Sequence, residues 1–431
     1  FTTTMKNNVS LSDPGWNLQS SYTQISDKLF SELKPDAVNN PSTVIINHKL
    51  AKKLGLNLNG ISEKELSNLF SGNQLPHGAK PFAQAYAGHQ FGQFTILGDG
   101  RAHVVGEQVT PDGEIFDIQY KGSGRTPYSR GGDGKAALGP MLREYLISEA
   151  MYHLGIPTTR SLAVVETGEK VYREVPLKGS ILTRVASSHI RIGTFQFLAA
   201  HKDYEGMQAL LDFSIKRHFR NMKFSKNVTV EFIQAVMQKQ IKLIVDWMRV
   251  GFIHGVMNTD NSTISGETID YGPCAFMDSY DAKTVFSSID TQGRYSFANQ
   301  PSIIHWNLVR LAESLLPLID KNEKKSIEIA QNTLNEFSAL FKNEWLQMMR
   351  KKIGIDDHSE EDEELISNLV NWMQNKSPDF TNTFCNLMNY NHANDEVFSD
   401  DDFGTWKKNW QERVNNNCLL YTSPSPRDLS T

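Results

Sequence analysis

The sequence predicts an α+β protein, with a small lobe of strands and one helix followed by a large, mainly helical lobe. Three observations lead there. β-rich runs with a hairpin signal fill residues 91–122. Apolar residues at helical spacing recur in 136–154, 206–220, 231–250 and from 301 to about 378. The densest polar chemistry sits in a loop-like stretch, 251–278, among the later helical segments.

Each element has its own warrant. The run His48 to Leu56 (HKLAKKLGL) reads as a short helix ended by Gly55. Val104 to Glu107 and Ile115 to Tyr120 are strand-forming runs, and Pro111-Asp112-Gly113 between them supplies turn geometry. In 136–154, Leu138, Met141, Leu142, Tyr145 and Leu146 recur at three- and four-residue spacing, and Gly155 and Pro157 stop the helix. Ser161 to Glu166, Lys170 to Glu174 and Ile181 to Val185 are short strand candidates. In 231–250, Phe232, Val236, Ile244, Trp247 and Met248 form an apolar face. The acidic run Glu360 to Glu364 reads as a solvated helix start.

The chain is expected to divide into an N-terminal extension (1–80), a small lobe with nucleotide-binding elements (81–200) and a helical large lobe with a catalytic loop and metal site (201–417). The tail 418–431 turns abruptly Ser/Pro-rich and is expected to be disordered and foreign to the native sequence.

Composition excludes several classes. Hydrophobic residues make up 39 % and charged residues 22 % of 431, enough for a buried core in a soluble enzyme. Net charge is −5 and no basic tract dominates, so nucleic acid is not an expected partner. No apolar run approaches the roughly 20 residues that a membrane span needs. Cys274, Cys385 and Cys418 are too few and too scattered for a disulfide framework or a zinc site, which points to a reducing compartment.

The chemistry-bearing motifs follow one another along the chain. Leu97-Gly98-Asp99-Gly100-Arg101 brings two glycines next to a strand, where backbone N–H groups can approach phosphate oxygens. Lys121 ends the second hairpin strand and can reach a nucleotide phosphate if an acidic side chain on the next helix holds its ammonium. Glu144 and Glu149 compete for that role. Five helical residues separate them, roughly 140° of rotation, so only one can face Lys121, and Glu144 is preferred, with Arg143 as a possible sharer of its charge. Gly132-Asp133-Gly134-Lys135 is a glycine turn ahead of a helix, suited to an anion. Arg184 and Arg191 are seven residues apart, and guanidinium pairs suit bidentate phosphate contact.

The most specific segment is His254-Gly255-Val256-Met257-Asn258-Thr259-Asp260-Asn261, followed by Asp270-Tyr271-Gly272. His254 and Asn261 keep the seven-residue spacing of the kinase catalytic loop, H-R-D-x-x-x-x-N, and Asp270-Tyr271-Gly272 replaces D-F-G with another aromatic. Asn261 and Asp270 then supply the oxygen donors that Mg²⁺ prefers. His254 is expected to brace the loop. Val256 occupies the position of the proton-accepting aspartate and cannot serve. Asp260 is the nearest carboxylate that can.

These runs, with Tyr86-Ala87-Gly88-His89-Gln90-Phe91-Gly92, Thr126 to Arg130, Gly155 to Arg160, Asp270 to Pro273, Gly293 to Phe297 and Asn299 to Pro301, resemble the selenoprotein O (YdiU) family over about residues 12–412. The resemblance implies a protein-kinase-like two-lobe fold, of the kind called a pseudokinase, that binds ATP flipped relative to ordinary kinases. It implies transfer of AMP to Ser, Thr or Tyr hydroxyls of proteins, with pyrophosphate leaving. It further implies ATP contacts from Gly98, Gly100, Arg101, Lys121, Asp133, Gly134, Arg184, Arg191 and Asp270. Metal binding falls to Asn261 and Asp270, proton acceptance to Asp260, and the ion pair with Lys121 to Glu144. The resemblance implies magnesium or manganese as the cation. UMP transfer with manganese and ATP binding without transfer are the alternatives. Many family members carry a C-terminal cysteine or selenocysteine pair beyond the equivalent of residue 412, a pair not present in this sequence. A monomer in the cytoplasm, or in mitochondria for a eukaryotic source, is the matching expectation.

Overall fold

The computed structural model describes residues 13–223, 226–388 and 396–418, with the side chains of 415–418 excepted. The expectation for the tail falls outside them apart from Cys418, which ends the last helix. Strands are β1 Leu18–Gln19, β2 Phe30–Glu32, β3 Ser42–Ile46, β4 Phe82–Gln90, β5 Gln93–Gly98, β6 Ala102–Val109, β7 Ile115–Lys121, β8 Ala136–Ala137, β9 Arg160–Tyr172, β10 Pro176–Ala186, β11 Phe252–Ile253 and β12 Ala275–Phe276. Helices are α1 His48–Lys53, α2 Glu63–Ser71, α3 Leu138–His153, α4 Ile192–Ala200, α5 Tyr204–His218, α6 Val228–Arg249, α7 Gln300–Ile319, α8 Glu323–Asn335, α9 Phe337–Lys352, α10 Asp362–Lys376, α11 Phe380–Leu387 and α12 Asp401–Cys418. The class is α+β. Among the described residues no helix is long and apolar enough to cross a membrane.

The chain divides into two compact units. The first comprises Phe1–Lys239, Asn258–Gly272 and Trp306–Leu334; the second comprises Gln240–Met257, Pro273–His305 and Asn335–Thr431.

A ten-stranded sheet of antiparallel pairs organises the first unit, in the order β2-β4-β6-β7-β10-β9-β3, with β1 on β6, β5 on β4 and β8 on β10. Strands ahead of residue 81 thus join it. The β6–β7 hairpin closes at Gly113, whose φ of 78° lies in the left-handed region that favours glycine. Strand alternation divides the core. Val165 and Ile181 pack with Leu50 of α1, Leu54 just after it and Phe70 of α2, whereas their neighbours Val164 and Leu182 pack with Met141 and Tyr145 of α3. The sheet is therefore covered by helices on both faces.

Two expectations change. The strand candidates Ser161 to Glu166 and Lys170 to Glu174 are one strand, β9, ending at Tyr172. Its ladder with β10 runs on either side of a bulge, pairing Lys170 with Lys178 and Glu166 with Ser180, so the intervening Gly168 does not break it. The acidic start of α10 is not wholly solvated. Asp362 is fully buried and accepts from Arg413 Nε at 2.8 Å and from Ser359 N at 2.8 Å. A charged partner from α12 and a backbone donor make that burial tolerable.

In the second unit, His254 is buried, stacks on Trp247 at 5.3 Å, and its Nδ1 accepts from Val256 N at 3.3 Å. Its own N–H donates to Gln300 Oε1 at 3.2 Å. It therefore braces the loop locally, as expected.

One buried histidine gives the first unit an acid-side liability. His218, at the end of α5, bonds Ser188 Oγ through Nε2 at 2.7 Å. Burial pushes its pKa down from 6.5 to about 3, helped by the charges of Lys239 and Arg217. The folded value lies below the unfolded one, so the unfolded chain binds the extra proton. Stability present above about 6.5 is lost as pH falls toward 3. Urea midpoints measured across that range should fall for the native chain and fall less for His218→Gln.

Candidate active site

The register of β7 and β10 builds the site. Gln119 pairs with Arg184 and Lys121 with Leu182, so all four side chains point to the same face of the sheet, the one that α3 covers. Glu144 lies on the buried side of α3. Its Oε2 accepts from Lys121 Nζ at 2.7 Å, and its Oε1 accepts from Arg184 Nη2 at 2.8 Å and Nε at 3.0 Å. The competitor Glu149 is turned elsewhere and takes both Nε and Nη2 of Arg160, each at 2.7 Å. The helical rotation that separates the two carboxylates thus gives them different cations.

Asp270 closes the network. Its Oδ1 accepts from Lys121 Nζ at 2.7 Å and from Arg184 Nη2, and its Oδ2 lies 3.7 Å from Arg191 Nη2. Burial pushes the Asp270 carboxyl up, but the charges of Arg184, Lys121 and Arg191 hold it well below the usual carboxylate range. Glu144 shows the same balance, with burial opposed and outweighed by Arg184 and Lys121. The Asp270 side chain keeps 26 % of its surface exposed, an open edge where a ligand can approach. Its backbone sits at φ 61°, unusual for a non-glycine residue. The strain is held by the parallel bridge of Thr158 with Thr268, by Thr159 N donating to Thr268 O at 3.0 Å, and by a bond between Thr158 Oγ1 and the Tyr271 hydroxyl.

The loop 258–264 is stitched to the same unit. Ile192 N donates to Ser262 O at 2.8 Å and Ile264 N to Ile190 O at 3.1 Å, which brings Arg191 beside the loop. His89 N donates to Thr259 Oγ1 at 2.8 Å and Phe91 N to Asn258 Oδ1 at 3.2 Å. Asp260 is buried, Oδ1 has no hydrogen-bond partner, and burial raises its pKa to about 6. Asn261 ends the short 3₁₀ turn Thr259–Asn261.

Gly98 and Gly100 answer to packing. A Cβ at Gly98 would overlap the Tyr128 ring, and one at Gly100 would lie 2.8 Å from Tyr128 O. The loop 122–134 folds over them: Thr126 Oγ1 donates to Asp99 O at 2.7 Å and Ser129 Oγ to Gly100 O at 2.5 Å. Gly134, at φ 69°, is pressed against Gly124 O. Arg101 is exposed. Asp133 pairs with Arg173 at 2.8 Å and accepts from Lys135 N at 3.0 Å, so it has no bond to the Lys121 network.

Three partners escaped the sequence reading. Asp99 accepts from Gln84 N at 3.1 Å and Gln119 Nε2 at 3.2 Å and lies 3.8 Å from Arg191 Nη1. Burial raises its pKa against the pull of Arg191 and His189. Tyr86 lies 4.2 Å beneath the Arg191 guanidinium, and Gln119 Oε1 accepts from Arg184 Nη1 at 3.3 Å. Asp99 was visible inside the LGDGR run and Tyr86 inside YAGHQFG, but neither run says which cation its residue meets.

A divalent cation fits this donor set. Asn261 offers an amide oxygen and Asp270 a carboxylate with an open edge, which suits an ion that takes its remaining ligands from phosphates and water. Among the described residues there is no group of three or more His, Cys, Asp or Glu able to hold a metal without such help.

Glu144→Ala would leave Lys121 and Arg184 buried with half their counter-charge. Denaturant unfolding should show a loss of about 3–5 kcal/mol, the range for a broken buried pair.

Known proteins resemble the chain along nearly all its length. The family model described as "Protein adenylyltransferase SelO" matches residues 15–423. A protein nucleotidyltransferase YdiU from Nitrosococcus oceani is 56 % identical over 417 residues, covering 97 % of this chain and 84 % of the relative. Its namesake from Brevibacillus brevis is 56 % identical over 402 residues (93 % and 82 %), and that from Pelagibacter ubique 54 % over 400 (93 % and 83 %). With a family model and close relatives agreeing over that span, the chain belongs to the SelO (YdiU) family of protein nucleotidyltransferases.

Proposed function

We propose that this chain is a kinase-like enzyme that transfers AMP from ATP to Ser, Thr or Tyr hydroxyls of proteins. The observation that carries the reading is the convergence of three buried cations, Lys121, Arg184 and Arg191, on the Asp270 carboxylate. Three cationic donors beside one open acidic edge suit a polyphosphate accompanied by a divalent cation.

The residues divide the work. Asp270 and Asn261 would hold the cation, which supplies neutralisation of phosphate charge when bound. Lys121 and Arg184, now bonded to Asp270, would turn donors toward phosphate oxygens, while Glu144 keeps both in place. Arg191 would contribute a third guanidinium to the same polyphosphate. Gly98, Gly100, Arg101, Asp133 and Gly134 would line the nucleotide's outer side, with the Asp133 pairing to Arg173 exchanged for that contact.

In the transfer itself the acceptor hydroxyl oxygen attacks the α-phosphorus. The bond from that phosphorus to the bridging oxygen breaks, pyrophosphate leaves with its electron pair, and the hydroxyl proton passes to Asp260. The unpartnered Oδ1 of Asp260 suits that proton. Val256, at the position where kinases carry their base, cannot take it.

Purified protein is incubated in magnesium with ATP labelled at the α- or the γ-phosphate. Label retained only from the α-position is expected; label only from the γ-position overturns the reading in favour of a kinase, and none from either leaves an ATP-binding protein. UTP labelled at the α-phosphate with manganese tests the alternative nucleotide. Asp260→Ala should bind ATP normally and lose transfer. Asp270→Ala should bind ATP with an affinity that no longer responds to magnesium.

A further inference from the structure

The YAGHQFG run has chemistry that the assignments above leave unused. Three consecutive residues of β4 each meet a different part of the site. The guanidinium carbon of Arg191 lies over the Tyr86 ring, 4.2 Å from the ring centre. The Ala87 carbonyl oxygen fills the space where a Cβ on Gly193 of α4 would be, so the first turn of α4, just after Arg191, rests on strand backbone. A Cβ at Gly88 would overlap Oδ1 of Asp260, with Cγ at 2.7 Å and Cβ at 2.9 Å.

Gly88 is not among the residues with positive φ, so its backbone would admit any side chain. The three atoms nearest to an added Cβ all belong to the Asp260 side chain. Tyr86 and Gly88 are two positions apart on a strand and therefore share one face. Arg191 has few alternative supports. It is 1 % exposed, its Nε has no hydrogen-bond partner, and its nearest carboxylates stand 3.7 and 3.8 Å away. Its Nη1 donates to His189 O at 3.4 Å, and the Tyr86 ring covers the face of the guanidinium. The far end of β4 is pinned to the loop by the bonds from His89 N to Thr259 and Phe91 N to Asn258.

We infer that Tyr86 and Gly88 are positioning residues that set, from one strand face, the separation between the polyphosphate-binding Arg191 and the proton acceptor Asp260. The inference rests on the roles proposed above for those two residues. It gives the two substitutions opposite kinetic signatures. Tyr86→Leu removes a desolvated cation–π platform and should raise KM for ATP roughly threefold to thirtyfold with kcat little changed. Tyr86→Phe keeps the ring and should match the native enzyme. Gly88→Ala displaces the Asp260 carboxylate and should lower kcat about a hundredfold with KM for ATP unchanged, the scale of loss for a misplaced catalytic group.

The test measures initial rates of self-labelling from α-labelled ATP in magnesium for the native chain and these three variants. Tyr86→Leu and Gly88→Ala moving KM and kcat together would overturn the inference, as would Tyr86→Phe behaving like Tyr86→Leu. Thermal unfolding gives a second reading that does not require activity. Gly88→Ala should lower the melting temperature in the native background and not in Asp260→Gly, where the obstructing carboxylate is gone. An equal penalty in both backgrounds overturns the Gly88 half. If Asp260→Ala retains full transfer, the proton-acceptor role fails by itself, while the unfolding cycle and the Tyr86 variants still report on the strand.

Discussion

The Glu144 carboxylate, buried between Lys121 and Arg184, joins α3 to two adjacent strands of the sheet. Taking one carboxylate and two cations out of water costs several kcal/mol per ion, and only close, complementary bonds offset it. Each Glu144 oxygen is committed to one cation, at 2.7 Å and 2.8 Å. With the carboxylate satisfied in this way, Lys121 and Arg184 have donors left over, and both direct them at Asp270. The placement of the Asp270 carboxylate, and of whatever it binds, therefore follows from an ion pair on the other side of the same ammonium and guanidinium.

Around that centre the unit is built for close approach. Gly98 and Gly100 let Tyr128 and its loop settle onto the turn after β5, Gly193 lets α4 rest on β4, and Gly88 makes room for Asp260. Each of these glycines removes a side chain where two backbone segments or a backbone and a carboxylate would collide. Motif glycines next to a nucleotide site are commonly read as phosphate contacts. Here the same residues let the surrounding protein pack closely, and the phosphate contact proposed for Gly98 and Gly100 would be compatible with that packing because both need a backbone free of Cβ atoms.

Much of this was legible from the chain alone. Apolar periodicity marked α3, α5 and α6 to within a few residues, and Pro111-Asp112-Gly113 marked the β6–β7 hairpin. Helical rotation was enough to make Glu144 and Glu149 mutually exclusive partners for Lys121. The spacing of Asn261 and Asp270 from His254 carried the likeness to a kinase catalytic loop. Local rules failed where the deciding neighbour was distant. The bulge that keeps β9 continuous depends on β10, and the burial of Asp362 depends on Arg413, 51 residues away.

The sequence by itself determined the fold class, the family and the cast of charged residues, because periodicity, turn chemistry and motif spacing are local properties that survive without coordinates. Only the tertiary structure decided which of those charges meet. Arg184 and Arg191 both reach Asp270, Asp99 flanks Arg191, Asp133 turns to Arg173, and Tyr86 lies under Arg191. Those pairings are set by strand register and by the packing of α3 and α4 on the sheet. Both are long-range properties, and many different partners at that distance would be compatible with the same local pattern.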